Sequence, residues 1–256
     1  MDMENSSIPQ TSTVLKTLLR ADFTTQWRNR RAVILTLVVP VIILVTWKPL
    51  VKVAGGPFVL SNSIVLGLIA TGLMGYSNSI ARDRDKGIFQ RLRVAPISAW
   101  SIMASRIMVQ LAMIVLLTTA VFIIGNSVDK VTLSPACYIL TYFTAIVAGA
   151  VYLSLGQMIV GRIKNPETVN ATVRLVYFLF IIGGMMGEIF VIQYPKFKVV
   201  ADIIKWSPYG TARAIVAAGM DLSKWDSDAS LALLATIGYA AIFAFLGIKW
   251  FKWNTK

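Results

Sequence analysis

Long apolar runs broken by short clusters of lysine and arginine constrain this chain more than any other feature. Six runs stand out: Ala32 to about Trp47, then Phe58–Ile80, Ser101–Gly125, Pro135–Val160, Val169–Gly184 and Ala229–Phe251. An α-helix needs about 20 mostly apolar residues to cross a hydrocarbon core about 30 Å thick. Inside that core a lone segment satisfies its backbone hydrogen bonds only as a helix. The 256 residues are 56% hydrophobic and 14% charged, where soluble domains carry about 25% charged residues. No soluble domain fits between the runs. The expected fold class is an all-α polytopic membrane protein with six transmembrane helices.

Two domains follow in outline: residues 1–31 as an N-terminal tail and interfacial helix, and residues 32–256 as the six-span transmembrane domain. From Thr13 to Arg31 an apolar residue recurs every fourth position (Leu15, Leu19, Phe23, Trp27) beside Lys16 and Arg20. That spacing predicts an amphipathic helix along the membrane surface, with an ordinary solvated helix as the alternative. Residues 1–31 hold no apolar core of the kind a cleavable secretory signal needs. The first run, sixteen residues long, covers only about 24 Å. Its helix is expected to continue past Lys48, with a kink at Pro40. In the second run Ser61, Asn62, Ser63 and Tyr76 to Ser79 sit near Gly67, Gly72 and Gly75. Polar groups in a span face protein or water, and small residues let helices touch.

Between the fifth and sixth runs, residues 185–219 are apolar only in short pieces interrupted by Pro, Gly and charge. Such pieces suit a re-entrant segment on the outward side, with two short helices expected at Gly187–Gln193 and Ile203–Ala217. A polar loop is the alternative.

Charge sets an orientation. The net charge is +13, and 17 of the 25 lysines and arginines fall on the side of the amino terminus. Only Lys48, Lys52, Lys130, Lys196, Lys198, Lys205, Arg213 and Lys224 fall on the other. The positive-inside rule then puts both termini and the loop Ala81–Ile97 in the cytoplasm. Clusters spaced between apolar runs suit anionic lipid headgroups better than nucleic acid. There is no histidine and one cysteine, Cys137. His-based acid–base catalysis and an intrachain disulfide are therefore excluded, and no cluster of catalytic groups appears. The phosphate-loop pattern G-x-x-x-x-G-K-[ST] is absent, so the chain is not expected to be an enzyme or to bind a cofactor itself.

In the loop, Asp83 and Asp85 precede Lys86, Arg91 and Arg93, with acids in the first turn and bases in the last complementing a helix dipole. Ile88, Phe89 and Leu92 form a small apolar face, and Ala95-Pro96-Ile97 ends the helix. A docking knob and a solvated loop that merely fixes topology both fit this pattern.

The segment Ala81-Arg-Asp-Arg-Asp-Lys-Gly-Ile-Phe-Gln-Arg-Leu-Arg-Val-Ala-Pro-Ile-Ser resembles the signature of type-2 ABC exporter permeases. Asp83 and Asp85 stand where Glu is common in that family, and Ile88 replaces the usual Thr. The resemblance extends over nearly the whole chain, from the amphipathic lead-in to the broken outward segment. It implies a permease in a prokaryotic plasma membrane, paired with a second identical or similar chain and resting on separate ABC ATPase subunits that use ATP and Mg. It implies a coupling helix over about 83–97, with Phe89 and Leu92 as docking anchors and Asp83, Asp85, Arg91 and Arg93 as a polar rim. Thr13–Arg31 would be the family's connecting helix. Spans two and five would face the dimer axis, which makes Thr71, Met74, Tyr177, Phe180 and Met185 substrate-path candidates. Glu188 is a candidate on its own chemistry, because a carboxylate at the start of a re-entrant helix is costly unless solvated or paired, with a helix cap as the alternative. A Met- and aromatic-rich lining suits a hydrophobic or amphiphilic drug, antibiotic or lipid-like compound. Two other classes stay open. An ion-driven secondary transporter would place ionisable groups inside its spans, where only Arg106 and Arg174 appear, near the ends. A passive membrane scaffold also fits the composition.

Overall fold

The computed structural model describes residues 11–28, 30–94 and 99–251. Among these the chain is helical, with no strand. Helix α1 (Thr11–Arg28) lies along α6 and is followed by α2 (Arg30–Thr46) and α3 (Lys48–Ala54). Then come the 30-residue α4 (Gly56–Asp85) and the short α5 (Ile88–Val94). Helices α6 (Ala99–Asp129), α7 (Pro135–Arg162) and α8 (Pro166–Gln193) are long. Two shorter helices, α9 (Lys198–Trp206) and α10 (Pro208–Met220), precede α11 (Ser227–Trp250).

Five helices are long and apolar enough to cross a membrane, namely α4, α6, α7, α8 and α11. A sixth crossing results if α2 and α3, bent by 64° at their junction, count as one span. Helical structure runs through Pro40 without a break, and a sharp bend falls at Trp47 (φ −92°, ψ 8°). The cause is Pro49, which has no N–H to continue the helical bonding and is tolerated only in the first turn of a new helix.

Helix α4 is the axis of the bundle. Of its most apolar 18-residue stretch 89% is buried, against 17% for α8 and α11, which keep a broad apolar face outward. Ser61, Asn62, Ser63, Thr71 and Ser77 of α4 are all buried, as polar residues in a span should be. The crossing of α4 and α7 is backbone to backbone. A Cβ on Gly72 would sit 2.5 Å from the Tyr152 carbonyl carbon, and one on Gly156 would sit 2.5 Å from the Gly72 oxygen. Both α4 and α8 carry a π-helical stretch, Ala70–Ser77 and Phe180–Met186, and α8 packs against the one in α4.

Three sequence expectations are corrected. The fifth span does not stop at Gly184, and Gly187–Gln193 is not a separate re-entrant helix; it forms the last two turns of α8. The π stretch carries the helix through Gly183 and Gly184, and only the turn at Tyr194-Pro195 stops it. The helix expected at Ile203–Ala217 is two helices. Pro208 starts α10, and the Ser207 hydroxyl caps it by accepting from the Gly210 N–H at 3.1 Å. The helix expected over 83–97 is also divided. Gly87, at φ +67°, closes α4 in a left-handed turn, with its N–H bonded to the Arg84 carbonyl. Asp83 and Asp85 thus belong to the last turns of α4, and no acid lies in the first turn of α5.

Helices α9 and α10 form a hairpin that returns into the bundle. Most of α10 is buried between α4, α7 and α11, because its small residues let neighbours close in. The Trp206 carbonyl at the hairpin's turn accepts a bond from the Tyr239 hydroxyl at 2.7 Å. Tyr239 lies twelve residues into α11, about 18 Å along its axis. The turn is therefore deep, well below the ends of the spans.

Candidate functional site

Two polar clusters stand at opposite ends of α4. The first joins α1, α4, α5, α6 and the end of α7. Arg84 is 2% exposed, and its guanidinium donates to the carbonyls of Val160 (2.8 Å), Ile163 (2.6 Å) and Lys164 (2.9 Å). The first two belong to the orphan acceptors that every helix leaves at its C-terminus and the third to the turn that follows, so Arg84 closes α7 while fixing the end of α4. One residue earlier, Asp83 pairs with Arg106 Nη1 of α6 at 2.6 Å. The Arg106 guanidinium also lies 4.9 Å from the ring centre of Phe89. From α6, Ser105 Oγ donates to Asp22 Oδ2 of α1 at 2.6 Å. Burial pushes the Asp22 carboxyl above its usual range, opposed by that hydrogen bond and by Arg106. Gln26 and Gln110 are buried around the same small recess.

The expected docking face is rearranged. Phe89 was expected on an exposed apolar face; it is fully buried, edge-on to Phe251 of α11 at 6.1 Å and beneath Arg106. It anchors α5 to the bundle. The burial follows from the Gly87 turn, which swings α5 back over the helix ends. Asp85, Lys86, Gln90 and Arg91 are exposed at this end, whereas Asp83 is occupied by Arg106. Leu92 and Arg93 lie on α5, but their side chains fall outside the described residues, as do Ala95, Pro96 and Ile97.

The second cluster lies at the far end, where the hairpin meets α4 and α8. Glu188 Oε1 accepts from Arg213 Nε of α10 at 2.5 Å. The same guanidinium lies 5.4 Å from the ring centre of Phe58. Asn62 of α4 accepts a bond from the Tyr209 hydroxyl and donates to the Phe58 carbonyl at 2.9 Å. The Tyr152 hydroxyl donates to the Pro208 carbonyl at 3.2 Å. Glycines make the approach possible: a Cβ on Gly184 would lie 2.5 Å from the Tyr209 ring, and one on Gly210 would lie 2.0 Å from the Ile204 oxygen. At the rim Lys205 pairs with Asp228 at 2.7 Å.

Of the residues expected along a substrate path, Thr71 is buried with its hydroxyl bonded to the Gly67 carbonyl. Tyr177 and Met185 are also buried, Met74 is half-buried, and Phe180 stands edge-on to Tyr152 at 5.7 Å. They line the seam of α4 with α8 and α7, and Glu188 closes its far end. A recess of about 680 Å³ lies elsewhere, between α6, α7 and α11. Its polar features are neutral: the Tyr76–Gln157 hydrogen bond at 2.8 Å and Ser154.

Sequence reasoning missed Arg84, Arg106, Asp22 and Ser105 at one end, and Arg213 and Tyr209 at the other. Arg213 carried a signal, as the single charge in an otherwise apolar or small stretch from Pro208 to Met220. Arg84, flanked by Arg82 and Lys86, carried none. The spans are also less free of charge than expected, since Asp83, Arg84 and Glu188 all lie within helices long enough to cross a membrane.

Known proteins match this chain in sequence. The family model for ABC-2 type transporters matches residues 13–210, which takes in α1, the α4–α5 turn and the start of the hairpin. A protein of Bacillus subtilis (strain 168) provisionally named transport permease YvfS is 22% identical over 153 residues. That alignment covers 58% of this chain and 59% of the relative's length.

Proposed function

The chain belongs to the ABC-2 type transporter family, and from that premise we propose that it is the permease subunit of an ATP-driven exporter. The single observation that carries this reading is the family match over residues 13–210. Separate ABC ATPase subunits, using ATP and Mg, supply the energy, and a second permease chain completes the path. Both termini and α5 face the cytoplasm of a prokaryotic cell, as the bias of Lys and Arg requires. The cargo is hydrophobic or amphiphilic, a drug, antibiotic or lipid-like compound, and moves along the seam marked by Thr71, Met74, Tyr177, Phe180, Met185 and Glu188.

The geometry supports a mechanical role for α5. Phe89, Asp83 and Arg106 tie it to α4, α6 and α11, so a push on α5 reaches three helices at once. Contact with an ATPase then falls to the exposed residues Asp85 and Arg91, with Leu92 as the apolar anchor and Arg93 on the polar rim. Phe89 transmits the contact rather than making it. Reversing charge at two exposed positions (Asp85→Arg with Arg91→Glu) should cut co-purification of the ATPase and uncouple its hydrolysis from transport in liposomes. Unchanged co-purification and unchanged coupling would sink the reading of α5 as the docking helix.

The Glu188–Arg213 pair, held inside the bundle, gives some weight to ion-driven transport. An export assay separates the two: dependence on ATP with indifference to proton and sodium gradients is expected.

A further inference from the structure

Helices α6 and α11 both pack on α7 and leave between them the recess of about 680 Å³. Its walls are apolar, chiefly Leu111 of α6, Ile146, Ala150 and Leu153 of α7, and Ala244 of α11. Ile107 and Ile248 line it and are also exposed, so it opens on the outer face of the bundle. All three helices are long and apolar enough to cross a membrane. The medium outside the recess is therefore the hydrocarbon of a bilayer. Close-packed interiors leave few voids larger than a water molecule, and a space of this size open to lipid fills with a lipid chain.

One end of the recess is polar. Tyr76 is buried there, and its hydroxyl donates to Gln157 Oε1 at 2.8 Å. That bond turns Nε2, the other half of the amide, away from the tyrosine. Nε2 has no acceptor among the described residues. Unlike the orphaned atoms of Arg106 and Gln110, it keeps accessible surface. Ser154 is already satisfied, with its hydroxyl bonded to the Ala150 carbonyl at 2.6 Å. An N–H facing hydrocarbon without a partner is costly. The amide calls for an acceptor carried by whatever fills the recess.

Depth says which acceptor. Gln157 lies five residues before Arg162, the last residue of α7, about 7–8 Å along the axis. It is level with Gly247 of α11, where a Cβ would stand 2.9 Å from Gln157 Cγ. Lys249 and Trp250 follow in the last turn, and such residues sit at headgroup level. The headgroup layer is about 5–8 Å deep on each side of the hydrocarbon. The amide thus stands near the boundary of headgroups and chains, where a glycerolipid carries its ester carbonyls. From Gln157 the wall of α7 continues eleven residues to Ile146, about 16 Å towards the midplane.

We propose that this recess is a lipid site, holding one acyl chain of a bilayer glycerolipid whose ester carbonyl accepts from Gln157 Nε2. The lipid comes from the leaflet on the α5 side, the cytoplasmic one in the orientation given above. It stands between the two helices that hold Phe89, α6 through Arg106 and α11 through the Phe251 that follows it. The site goes beyond the export reading, and its occupancy needs neither ATP nor an ATPase.

The test compares two bilayers that differ in the carbonyl alone. The full chain is placed in nanodiscs of dialkyl-ether phosphatidylcholine, or of diacyl phosphatidylcholine with chains of equal length. The probe is a trace of diacyl phosphatidylcholine bearing a diazirine on one acyl chain, with labelled residues mapped by mass spectrometry. In the ether bilayer labelling should concentrate on the recess residues of α6, α7 and α11. The ester bilayer should lower it about fivefold, the effect of one neutral hydrogen bond. Labelling of the exposed face of α8, at Leu175, Phe178 and Ile182, should be the same in both. The double substitution Gln157→Leu with Tyr76→Phe removes the bonded pair together and should abolish the difference between bilayers. Ala150→Phe, which fills the recess, should cut recess labelling in both and leave α8 unchanged. Equal recess labelling of the parent in the two bilayers would overturn the proposal. So would a preference for the ester that survives the double substitution, or labelling no denser in the recess than on α8.

Discussion

The two ends of α4 treat buried charge in opposite ways. At the carboxy-terminal end Arg84 spends its guanidinium on three backbone carbonyls, and Asp83 and Arg106 are paired between adjacent helices. These charges serve the backbone and the packing. At the far end Glu188 and Arg213 join a span to a returning hairpin, side chain to side chain. The first cluster behaves as a joint, the second as a clamp on the hairpin. The difference follows from what each must complete. Helix ends at the first present orphan carbonyls, whereas the hairpin at the second brings its own cap in Ser207, so its charges are spent on each other.

The strongest test of the joint is Arg84→Ala. It removes the donors from one buried and two part-buried carbonyls at the end of α7, and hydrogen bonds from a charged donor contribute about 1.5–3 kcal/mol each, non-additively. A loss of about 3 kcal/mol or more is expected, read as a large drop in thermal midpoint of the detergent-solubilised chain. Arg84→Lys should recover less than half, because an ammonium cannot reproduce a planar fork. A near-neutral Arg84→Ala would break the comparison at once, since the carbonyls would then be satisfied some other way.

A smaller effect separates joint from clamp more finely. Breaking a buried pair on one side leaves an uncompensated charge, while removing both partners is far milder. At the far end Glu188→Leu alone should cost about 3 kcal/mol, because Arg213 is left without its carboxylate beside the Phe58 ring. Adding Arg213→Leu should restore most of that stability. The same double removal at Asp83 and Arg106 should restore less, because Arg106 also covers Phe89. Unfolding midpoints of the two double-mutant cycles check this; equal recovery at both ends would mean the two pairs are the same kind of device.

How much of this the sequence holds depends on what each feature answers to. The long crossings were legible because a bilayer imposes length and apolarity on consecutive residues, and α4, α6, α7 and α11 fall close to the runs marked in the sequence. The break at Ser207-Pro208 and the turn at Gly87 were written locally as well, yet were passed over in favour of longer periodic patterns. The fate of Phe89 was not written locally. Its pairing with Phe251 joins residues far apart in the chain, and an apolar face three residues wide reads the same whether it meets a partner or its own bundle. Arg84 was hidden for a like reason, since neither it nor its neighbours reveal that the end of α7 lies above them.

The gentlest probe is acidity, and it concerns the joint alone. Burial raises the Asp22 carboxyl above its ordinary value in the folded chain, while in the unfolded chain it sits at that value. Between the two the folded state binds the proton more tightly, so unfolding releases it. Stability must therefore fall as pH rises from the ordinary carboxylate value through the raised one, and level off above it. Asp22→Asn keeps an acceptor for Ser105 Oγ and removes the titration. The difference in unfolding midpoint between Asp22→Asn and the parent should be near zero in acid and grow in favour of the variant as pH rises through that window. Protease protection of α1 should follow the same curve, because Asp22 and Ser105 are where α1 is bonded to α6. A difference of the opposite sign would mean that Arg106 outweighs burial at Asp22. The ionised carboxylate would then be part of the joint, and the neutral form would loosen it.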